Sequence, residues 1–505
     1  MKHSIDTDDL SEILAAARFE IVKGVEADGA DQHQIELDRL VWSHAHAQAA
    51  IALQEWADLT SDPLAAALAE IGHRRALSSI RASDHPPAPN SDLQLAELVN
   101  QLKPLEDVGA RDEHRLLRSA IRDFAAREIT PFARAIHRGD LDVPEHIISG
   151  AAKLGLFGLS VPMEFGGSQT AEDVISMLIV TEELSRASLA AGGSLITRPE
   201  ILVRALMRGG TPEQKQRWLP AIATGEKMVA VAVTEADHGS NVAGLQCRAR
   251  RIGPDDWEIN GSKLWCTFAG RSELLMVLCR TADTGHRGLS VFVVEKPRFA
   301  GHEFQHGQPE GGVLRGRAIP TIGYRGMHTF DLSFDHFRVP ATALVGGDDW
   351  LNRGFYLQME GFSMGRIQTA GRATGVMQAA VSDAIAYAKA RTVFDKPLFA
   401  SQLIRSKLGG MVFHLNASRQ LSYRAARLVN GGGGQIEASL AKLYASRVAE
   451  SVTREGMQIH GAMGYSEETD IGRYFMDARV LTIFEGSEEV LSLRVIGKSL
   501  LQQAL

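Results

Sequence analysis

The residue best placed for proton chemistry is Glu485, in the segment LTIFEGSEEV at 481–490. Apolar residues precede it, and apolar surroundings disfavour a charged carboxylate and make it a stronger base. Gly486 follows directly and allows a ligand to approach the backbone closely. Glu488 and Glu489 come next, so the alternative is a solvated helix face that carries all three carboxylates. Spacing alone leaves both interpretations open.

A loop near the middle of the chain offers several hydrogen-bond donors. The segment TEADHGSNVAG, at 234–244, follows a β-like run and is rich in small residues. Its backbone N–H groups and the hydroxyls of Thr234 and Ser240 can bind a phosphate or a flat polar ring. The alternative is an ordinary hairpin turn.

A second segment, NGSKLWCTFAG at 260–270, combines a turn signal with an indole. Asn260-Gly261 predicts a hairpin turn. Trp265 and Thr267, two residues apart, are then expected on the same face of a strand. The indole could cover a flat ring while the hydroxyl binds its edge; the alternative is a core tryptophan.

The elements that must position these residues follow the order helices, strands, helices. Helical periodicity extends from about 113 to 228, with Thr211 as a predicted N-cap. Alternating or β-branched runs indicate strands between about 229 and 345, and long alanine- and leucine-rich stretches follow from 354. Since strands do not alternate with helices, a doubly wound nucleotide-binding sheet is not expected.

Composition shifts predict five regions along the chain. They are an N-terminal helical extension (1–82), a linker (83–105), an α domain (106–228), a β domain (229–345) and a C-terminal α domain (346–505). The linker is predicted from SDHPPAPNSD, where prolines and small polar residues oppose regular structure.

The overall composition is that of a soluble globular protein. Of 505 residues, 45% are hydrophobic, and the net charge of −7 argues against binding to nucleic acid or an anionic membrane. Cys247, Cys266 and Cys279 form no CxxC pair, so neither a disulfide framework nor a metal site is predicted. No run reaches the roughly 20 apolar residues of a membrane span, and no secretion signal is recognisable at the start. We therefore expect a cytoplasmic location.

Several motifs, taken together and in order, resemble one family over nearly the whole chain from about residue 106. They are IRDFAAREITP (121–131), GLSVPMEFGG (158–167), TPEQKQRWLP (211–220), VTEADHGS (233–240), INGSKLWCT (259–267), ARTVFDKPL (390–398), QIHGAMGY (458–465) and IFEGS (483–487). The family is the acyl-CoA dehydrogenases. The resemblance implies a mainly α fold with a central β domain: a helical domain, a β-barrel-like domain and a C-terminal four-helix bundle, assembled as a homotetramer or homodimer.

The resemblance also implies FAD as the cofactor, and no metal. The residues expected to line the flavin are Val233, Thr234, Ser240, Trp265 and Thr267, and Ser487 is a further expected cofactor contact. A second group is expected to reach the FAD of a neighbouring subunit: Arg391, Phe394, Gln402, Gln458 and Gly461.

The family's catalytic base matches Glu485. Some members carry the base directly before the arginine that matches Arg366, but Gly365 stands there and cannot act. By the same resemblance, Arg366 helps to hold the CoA portion, and Ser240 and Gly486 contact the substrate. Glu485 would take the α-proton of an acyl-CoA while the β-hydrogen leaves as hydride to FAD, giving a trans-2-enoyl-CoA. An electron-transfer flavoprotein is the implied electron acceptor.

The acyl group is indicated by the extension and by segments such as SLITR (194–198). They most resemble family members that oxidise (2S)-methylsuccinyl-CoA to mesaconyl-CoA. The second carboxylate of that substrate needs a buried cation or several donors. Arg198 is the candidate, with Thr197 assisting; the alternative is an exposed or salt-bridged arginine. A neutral short- or branched-chain acyl-CoA, or an oxygen-using acyl-CoA oxidase on the same fold, are the alternative functions.

Overall fold

A computed structural model describes residues 33–60, 62–80, 112–169 and 173–502, together with Leu10, Leu14 and Ala15. The chain divides into two compact units. The first comprises Met1–Arg122, Val174–Arg186 and Arg366–Leu505, and the second comprises Asp123–Asp173 and Ala187–Gly365. The predicted linker at 83–105 lies outside the described residues, and the five-region division of the sequence stays a prediction.

The helices and strands occur in the predicted order. The helices are α1 (Gln34–Thr60), α2 (Pro63–Ile80), α3 (Asp112–Glu128), α4 (Thr130–Gly139), α5 (Glu145–Lys153), α6 (Val174–Ala187), α7 (Thr197–Gly209), α8 (Pro212–Ala223), α9 (Gly354–Ala390), α10 (Gln402–Asn430), α11 (Gln435–His460), α12 (Ile471–Val480) and α13 (Lys498–Gln502). The strands are β1 (Val229–Ala232), β2 (Arg248–Arg251), β3 (Asp256–Thr267), β4 (Leu274–Arg280), β5 (Leu289–Glu295), β6 (Glu303–Gly307), β7 (Val313–Ala318), β8 (Thr329–Pro340), β9 (Thr392–Val393) and β10 (Lys396–Pro397). A π-helical segment, Val490–Gly497, precedes α13. Among the described helices, none combines the length and the apolarity that crossing a lipid bilayer requires.

The second unit is built on a sheet with the strand order β1-β4-β2-β3-β8-β7-β6, and β5 pairs with β4. Strand β4 is buried along its whole length, because one hydrophobic cluster contains Leu275, Val277 and Cys279 on one face and another contains Leu274, Met276 and Leu278 on the other. The predicted cap of α8 is confirmed: the Thr211 hydroxyl accepts from the Gln214 backbone N–H, and the Gln214 side chain accepts from the Thr211 N–H. This reciprocal pair satisfies two N–H groups that a helix start leaves without partners.

The hairpin predicted at Asn260-Gly261 is wrong. Both residues lie inside the long strand β3, where the pairing with β8 shifts register between Ile259 and Gly261. Gly261 has φ 131°, and a Cβ there would lie 2.8 Å from the Cα of Cys247. The Asn260 side-chain oxygen accepts from the His336 N–H at 2.8 Å. A β-bulge uses the same residue types as a tight turn, and here the neighbouring strands decide between the two.

In the first unit, the N-terminal extension packs against helices of its own chain. Helix α1 pairs with α2, which begins with the Asp62 carboxylate accepting from the Leu64 N–H at 2.8 Å. Arg75 on α2 lies over the Phe413 ring of α10 at 4.3 Å. Its guanidinium also contacts the His414 ring at 3.2 Å. Helix α2 of the extension is therefore covered in part by α10 of the same chain.

A buried ionic network fixes α6 in the same unit. The Glu182 carboxylate accepts from Arg419 Nε at 2.8 Å, and Glu183 accepts from Arg118 Nη1 at 2.6 Å. Although burial opposes it, Arg118 and Arg419 lower the pKa of Glu182 to about 2. Helix α9 lies close beside α6, since a Cβ at Gly375 would be 2.2 Å from the Glu182 carbonyl oxygen. This contact sets the position of α9, which carries part of the site described next.

Candidate active site

Glu485 lies in the turn after α12 with a strained backbone. Its φ is 56°, and Gly486 follows with φ 95°. A non-glycine residue with positive φ is uncommon, and such strain concentrates at functional positions. The side chain is 9% exposed. The turn therefore holds a buried carboxylate in a conformation that the neighbouring elements must maintain.

Both carboxylate oxygens of Glu485 have partners on α9. Oε1 accepts from Arg372 Nη2 at 2.6 Å, and Oε2 accepts from the Thr369 hydroxyl at 2.7 Å. Arg372 Nη2 also donates to Thr369 Oγ1 at 2.6 Å, which closes a three-residue network. Glu485 is therefore not surrounded by apolar groups alone, as its neighbours in the sequence suggested, because the Arg372 guanidinium stabilises its ionised form.

Sequence reasoning did not single out Arg372. Its side chain is fully buried, and its Cζ lies 4.7 Å from the centre of the Phe484 ring. Its Nε and Nη1 have no hydrogen-bond partner within the part of the chain that the structure describes. The signal was a lone charged residue in the small-residue run AGRATGV, three residues after Thr369, a spacing that places both side chains on one helix face.

Two further cations act on the same carboxylate. Lys442 on α11 donates from Nζ to the Gly486 carbonyl oxygen at 2.6 Å and so supports the turn. Burial lowers the pKa of Lys442 to about 7; Glu485 opposes that shift, and Arg366 and Arg372 add to it. Arg366 donates from Nη1 to Ser439 Oγ at 3.2 Å, and burial lowers its pKa while Glu485 opposes that shift. Besides Arg372, Glu485 therefore interacts electrostatically with the buried Lys442 and the half-buried Arg366.

In the second unit, a buried ion pair holds the predicted loop at 233–240. Lys263 is fully buried and donates from Nζ to Glu235 Oε1 at 2.7 Å and to the Val233 carbonyl at 3.0 Å. Glu235 also accepts from the backbone N–H groups of Gln246 and Cys247. As a result Val233 is buried, Thr234 is half-buried and Ser240 is exposed.

The predicted arrangement of Trp265 and Thr267 on one strand face is not observed. Trp265 has φ 60° and is 55% exposed, whereas Thr267 is buried with its hydroxyl 3.1 Å from that of Thr329. A second register shift, between Lys263 and Cys266, interrupts the alternation of β3. The two-residue period applies only where pairing is regular.

Arg198, the candidate for reading a substrate carboxylate, is buried at the start of α7. Its Nη1 donates to the Tyr324 hydroxyl at 2.9 Å and to the Ser194 carbonyl at 3.3 Å. No carboxylate lies within ion-pair distance of it among the described residues, and the Thr197 hydroxyl beside it is buried without a described partner. The alternative of an exposed or salt-bridged arginine does not match this environment.

The residues expected to reach a neighbouring subunit are exposed on the single chain. They are Arg391, Phe394, Gln402, Gln458 and Gly461. Phe394 is 94% exposed. Tyr465, which lies close to Gly461 in the sequence, is 90% exposed. Ser487, the remaining predicted cofactor contact, is half-buried and accepts from the Val490 N–H at 3.4 Å. Exposed aromatic side chains of this size are typical of surfaces that bind a ligand or another chain.

A cluster outside the predicted site could hold a metal ion, which the sequence did not indicate. Potential ligand atoms of Asp140, His302 and His328 lie within 4.8 Å of one another. His328 Nδ1 lies 3.0 Å from an Asp142 oxygen, and its Nε2 lies 3.1 Å from the Asp140 carbonyl oxygen. Although burial opposes it, Asp142 and Asp140 raise the pKa of His328. These contacts describe an ion-paired histidine with both nitrogens engaged.

Comparison with known protein families matches three consecutive domain models. They are the acyl-CoA dehydrogenase N-terminal domain at residues 111–226, the middle domain at 230–337 and the C-terminal domain at 352–501. The C-terminal match includes α9 and the turn that carries Glu485.

Individual proteins agree with these matches. The chain is 39% identical over 397 residues to (2S)-methylsuccinyl-CoA dehydrogenase of Cereibacter sphaeroides, covering 78% of this chain and 70% of that protein. The solved structure of butyryl-CoA dehydrogenase from Megasphaera elsdenii superposes with a TM-score of 0.72 at 30% identity, over 78% of this chain and all of that one. A structure described as an electron transferring flavoprotein of Acidaminococcus fermentans has a TM-score of 0.69 at 28% identity, over 78% and 98% of the two chains.

Proposed function

The chain belongs to the acyl-CoA dehydrogenase family, and on that basis we propose that it oxidises (2S)-methylsuccinyl-CoA to mesaconyl-CoA with Glu485 as the base. The observation that carries this proposal is the buried, ion-paired carboxylate in a strained turn, at the position where the family resemblance expects the base. The relative that is 39% identical supports the choice of substrate.

Glu485 performs the proton transfer. Its ionised carboxylate takes the α-proton of the thioester, whose acidity the adjacent carbonyl provides. Lys442 stabilises the turn by donating to the Gly486 carbonyl oxygen. This contact holds the backbone of the turn in place while the charge of the Glu485 carboxylate changes. Once protonated, Glu485 no longer forms an ion pair with Arg372, and the network on α9 reorganises.

The residues of the second unit fit a bound FAD. Trp265 presents a half-exposed indole from a strand end that paired strands hold in place, which suits stacking on a flat ring. The Lys263–Glu235 ion pair fixes the loop that carries Val233, Thr234 and Ser240. When bound, FAD supplies the acceptor for the substrate's β-hydride. Together with Thr267 and Ser487, these residues are the proposed flavin contacts.

We further infer a homo-oligomer in which Arg391, Phe394, Gln402, Gln458 and Gly461 contact the FAD of a neighbouring subunit. Their exposure on the single chain supports this role, since an almost fully exposed phenylalanine is costly unless something covers it. Reoxidation by an electron-transfer flavoprotein and a cytoplasmic location complete the proposal.

The substrate's second carboxylate requires a cation in the acyl pocket. Arg198 supports this assignment because its guanidinium is buried without a described carboxylate partner. A buried charge with no counter-charge is unfavourable, and binding of an anion relieves that cost. Thr197, the preceding residue, adds a buried hydroxyl that has no hydrogen-bond partner in the described part of the chain. Arg366 is proposed to hold the CoA portion, and Ser240 and Gly486 to contact the acyl thioester.

A neutral short- or branched-chain acyl-CoA is the second candidate substrate, favoured by the similarity to butyryl-CoA dehydrogenase. Anaerobic bleaching of the flavin absorbance by (2S)-methylsuccinyl-CoA, butyryl-CoA and isobutyryl-CoA separates the two. Glu485→Gln should abolish bleaching by every thioester, with a loss in rate of at least about 100-fold, whereas Glu489→Gln, at an exposed position in the same segment, serves as the matched control.

The outcomes have distinct meanings. Faster bleaching by a neutral thioester than by methylsuccinyl-CoA would replace the proposed substrate but leave the dehydrogenase assignment. Full activity of Glu485→Gln would contradict the assignment of the base. Rapid oxygen uptake during turnover would indicate an acyl-CoA oxidase instead.

A further inference from the structure

We propose that the N-terminal extension positions the base: Asp38 and Trp42, both on helix α1, hold the segment that follows Glu485. This inference rests on the proposed function of Glu485 and adds a role for the extension to it. The backbone at Glu485 is strained, with a φ of 56°. Such a conformation persists only where the surrounding contacts determine it, so both sides of the turn have to be held in place.

The turn that carries Glu485 is closed by its own backbone. The Glu488 N–H donates to the Thr482 carbonyl oxygen at 3.1 Å, which brings the two ends of the turn together. The chain then enters the π-helical segment Val490–Gly497. A π-helix is rare and occurs mostly at functional sites. Because this segment follows the turn directly, whatever packs against it also acts on the end of the turn.

The first contact from the extension reaches the π-helical segment itself. Ser492 is fully buried there and donates from Oγ to Asp38 Oδ1 at 2.5 Å. A hydrogen bond to a carboxylate is stronger than one between neutral groups. Helix α1 also lies very close to the end of the segment, since a Cβ at Gly497 would be 2.9 Å from the Leu37 side chain. Helix α1 therefore contacts the π-helical segment near both of its ends.

The second contact reaches Glu488 through an arginine of α11. Trp42 follows Asp38 by one helical turn and lies on the same face of α1. Arg447 has its Cζ 4.7 Å from the centre of the Trp42 ring and its Nη2 2.8 Å from Glu488 Oε1. An indole stabilises a guanidinium placed over its face. Because Arg447 is half-exposed, we expect this contact to contribute less than the buried bond of Asp38.

These contacts explain how a helix of the extension can act on the base. Without Asp38, the buried Ser492 hydroxyl loses its acceptor, which is unfavourable, and the π-helical segment can rearrange. The turn at Glu485 can then relax from its positive φ. The carboxylate remains but lies further from the α-carbon of the substrate. Proton abstraction is sensitive to such a change, since a displacement of about 1 Å can slow a reaction by about 100-fold.

The test measures how fast a thioester bleaches the flavin of the FAD-loaded enzyme. In Asp38→Ala and in Ser492→Ala, the bleaching rate at saturating substrate should fall by about 10- to 100-fold. KM should stay within about threefold of its original value, because substrate binding is not affected. Asp38→Asn keeps an acceptor oxygen for Ser492 and should recover most of the rate. Trp42→Leu should lower the rate less than Asp38→Ala does. Asp58→Ala, the same substitution at an exposed position of α1, is the matched control and should keep the original rate.

An isotope effect supplies a readout that a purely structural defect would not change. Partial unfolding lowers the amplitude of bleaching but leaves the reaction of the folded molecules as it was. A displaced base makes cleavage of the α-carbon–hydrogen bond more strongly rate-limiting. The effect of α-deuterated substrate on the bleaching rate should therefore be larger in Asp38→Ala than in the unaltered enzyme. Flavin absorbance and melting temperature establish that each variant is folded, and Ser492→Ala replaces Asp38→Ala if the latter fails that check.

Failure of the inference and failure of the proposed function are distinguishable. If no thioester bleaches the flavin of the unaltered enzyme, the proposed function is wrong and the inference falls with it. If the unaltered enzyme reacts, and folded Asp38→Ala and Ser492→Ala react as fast as Asp58→Ala, the inference alone is wrong. An equal loss of rate in Asp58→Ala, or a rise in KM without a loss of rate, would also overturn it.

Discussion

Acidification should destabilise the N-terminal extension, because His46 on α1 is half-buried in surroundings that keep it neutral. Its ring lies edge-on to Tyr444 of α11 at 5.6 Å and beside Trp42 at 6.2 Å. Burial, and then the charge of Arg75 on α2, lower the pKa of His46 from 6.5 to about 4. His414 on α10 responds in the same direction, since burial, Arg75 and His46 all lower its pKa.

The size of the effect follows from proton linkage. A histidine whose pKa is lower in the folded state than in the unfolded state contributes its full stabilisation at pH values above its unfolded-state pKa. That stability is lost as the pH falls from 6.5 towards 4. For a shift of this size, about 2 kcal/mol of unfolding free energy is lost between pH 7.5 and pH 5 from His46 alone. His414 adds to the loss.

Urea unfolding at the two pH values measures this loss of unfolding free energy. Tryptophan fluorescence reports on the extension because Trp42 and Trp56 both lie on α1. His46→Gln is the test variant, and its difference from the unaltered protein cancels the contributions of groups that do not interact with His46; His414 does interact with it. We expect the variant to lose about 2 kcal/mol less on acidification. An identical loss in both proteins would show that His46 is not held neutral, and the packing argument for the extension would fail with it.

Two other predictions concern the second unit. Lys263→Met should lower the free energy of unfolding by about 3–5 kcal/mol, because it leaves the buried Glu235 carboxylate without its cation. Chemical denaturation measures this loss. The double variant Lys263→Met/Glu235→Gln should recover part of it, and the absence of any recovery would contradict the pairing of these two residues. Although burial opposes it, Asp142 and Asp140 raise the pKa of His328. The stabilisation that protonated His328 provides is therefore present at pH values below its ordinary pKa, and it is lost as the pH rises through the raised pKa of the folded state. Melting temperatures across pH 5–9 should show this loss, and His328→Gln should remove it; an unchanged pH dependence in that variant would refute the ion pair.

The order of elements could be predicted from local sequence, whereas the assignment of Glu485 as the base rests on the family resemblance and stays a prediction. Hydrophobic periodicity indicated strands between about 229 and 345, where β1 to β8 lie, because burial on one or both faces is reflected in the residue types. The cap at Thr211 was predictable for a similar reason, since all of its partners lie within three residues.

The missed features depend on contacts between distant residues. Arg372 and Glu485 are separated by 113 positions, and no local pattern reports their pairing. Asn260-Gly261 has the composition of a turn, and only the paired strands show that it is a bulge. The contrast between Trp265 and Thr267 has the same origin, because a register shift elsewhere in β3 changes which side chains face the core.

The packing of α1 and α2 makes the surface of the following helices dependent on the N-terminal part of the chain. Phe413, His414 and Tyr444 contact side chains of these two helices. Removal of α1 and α2 would bring these ring side chains into contact with water, so the C-terminal helices of this chain would lose both stability and solubility without the extension.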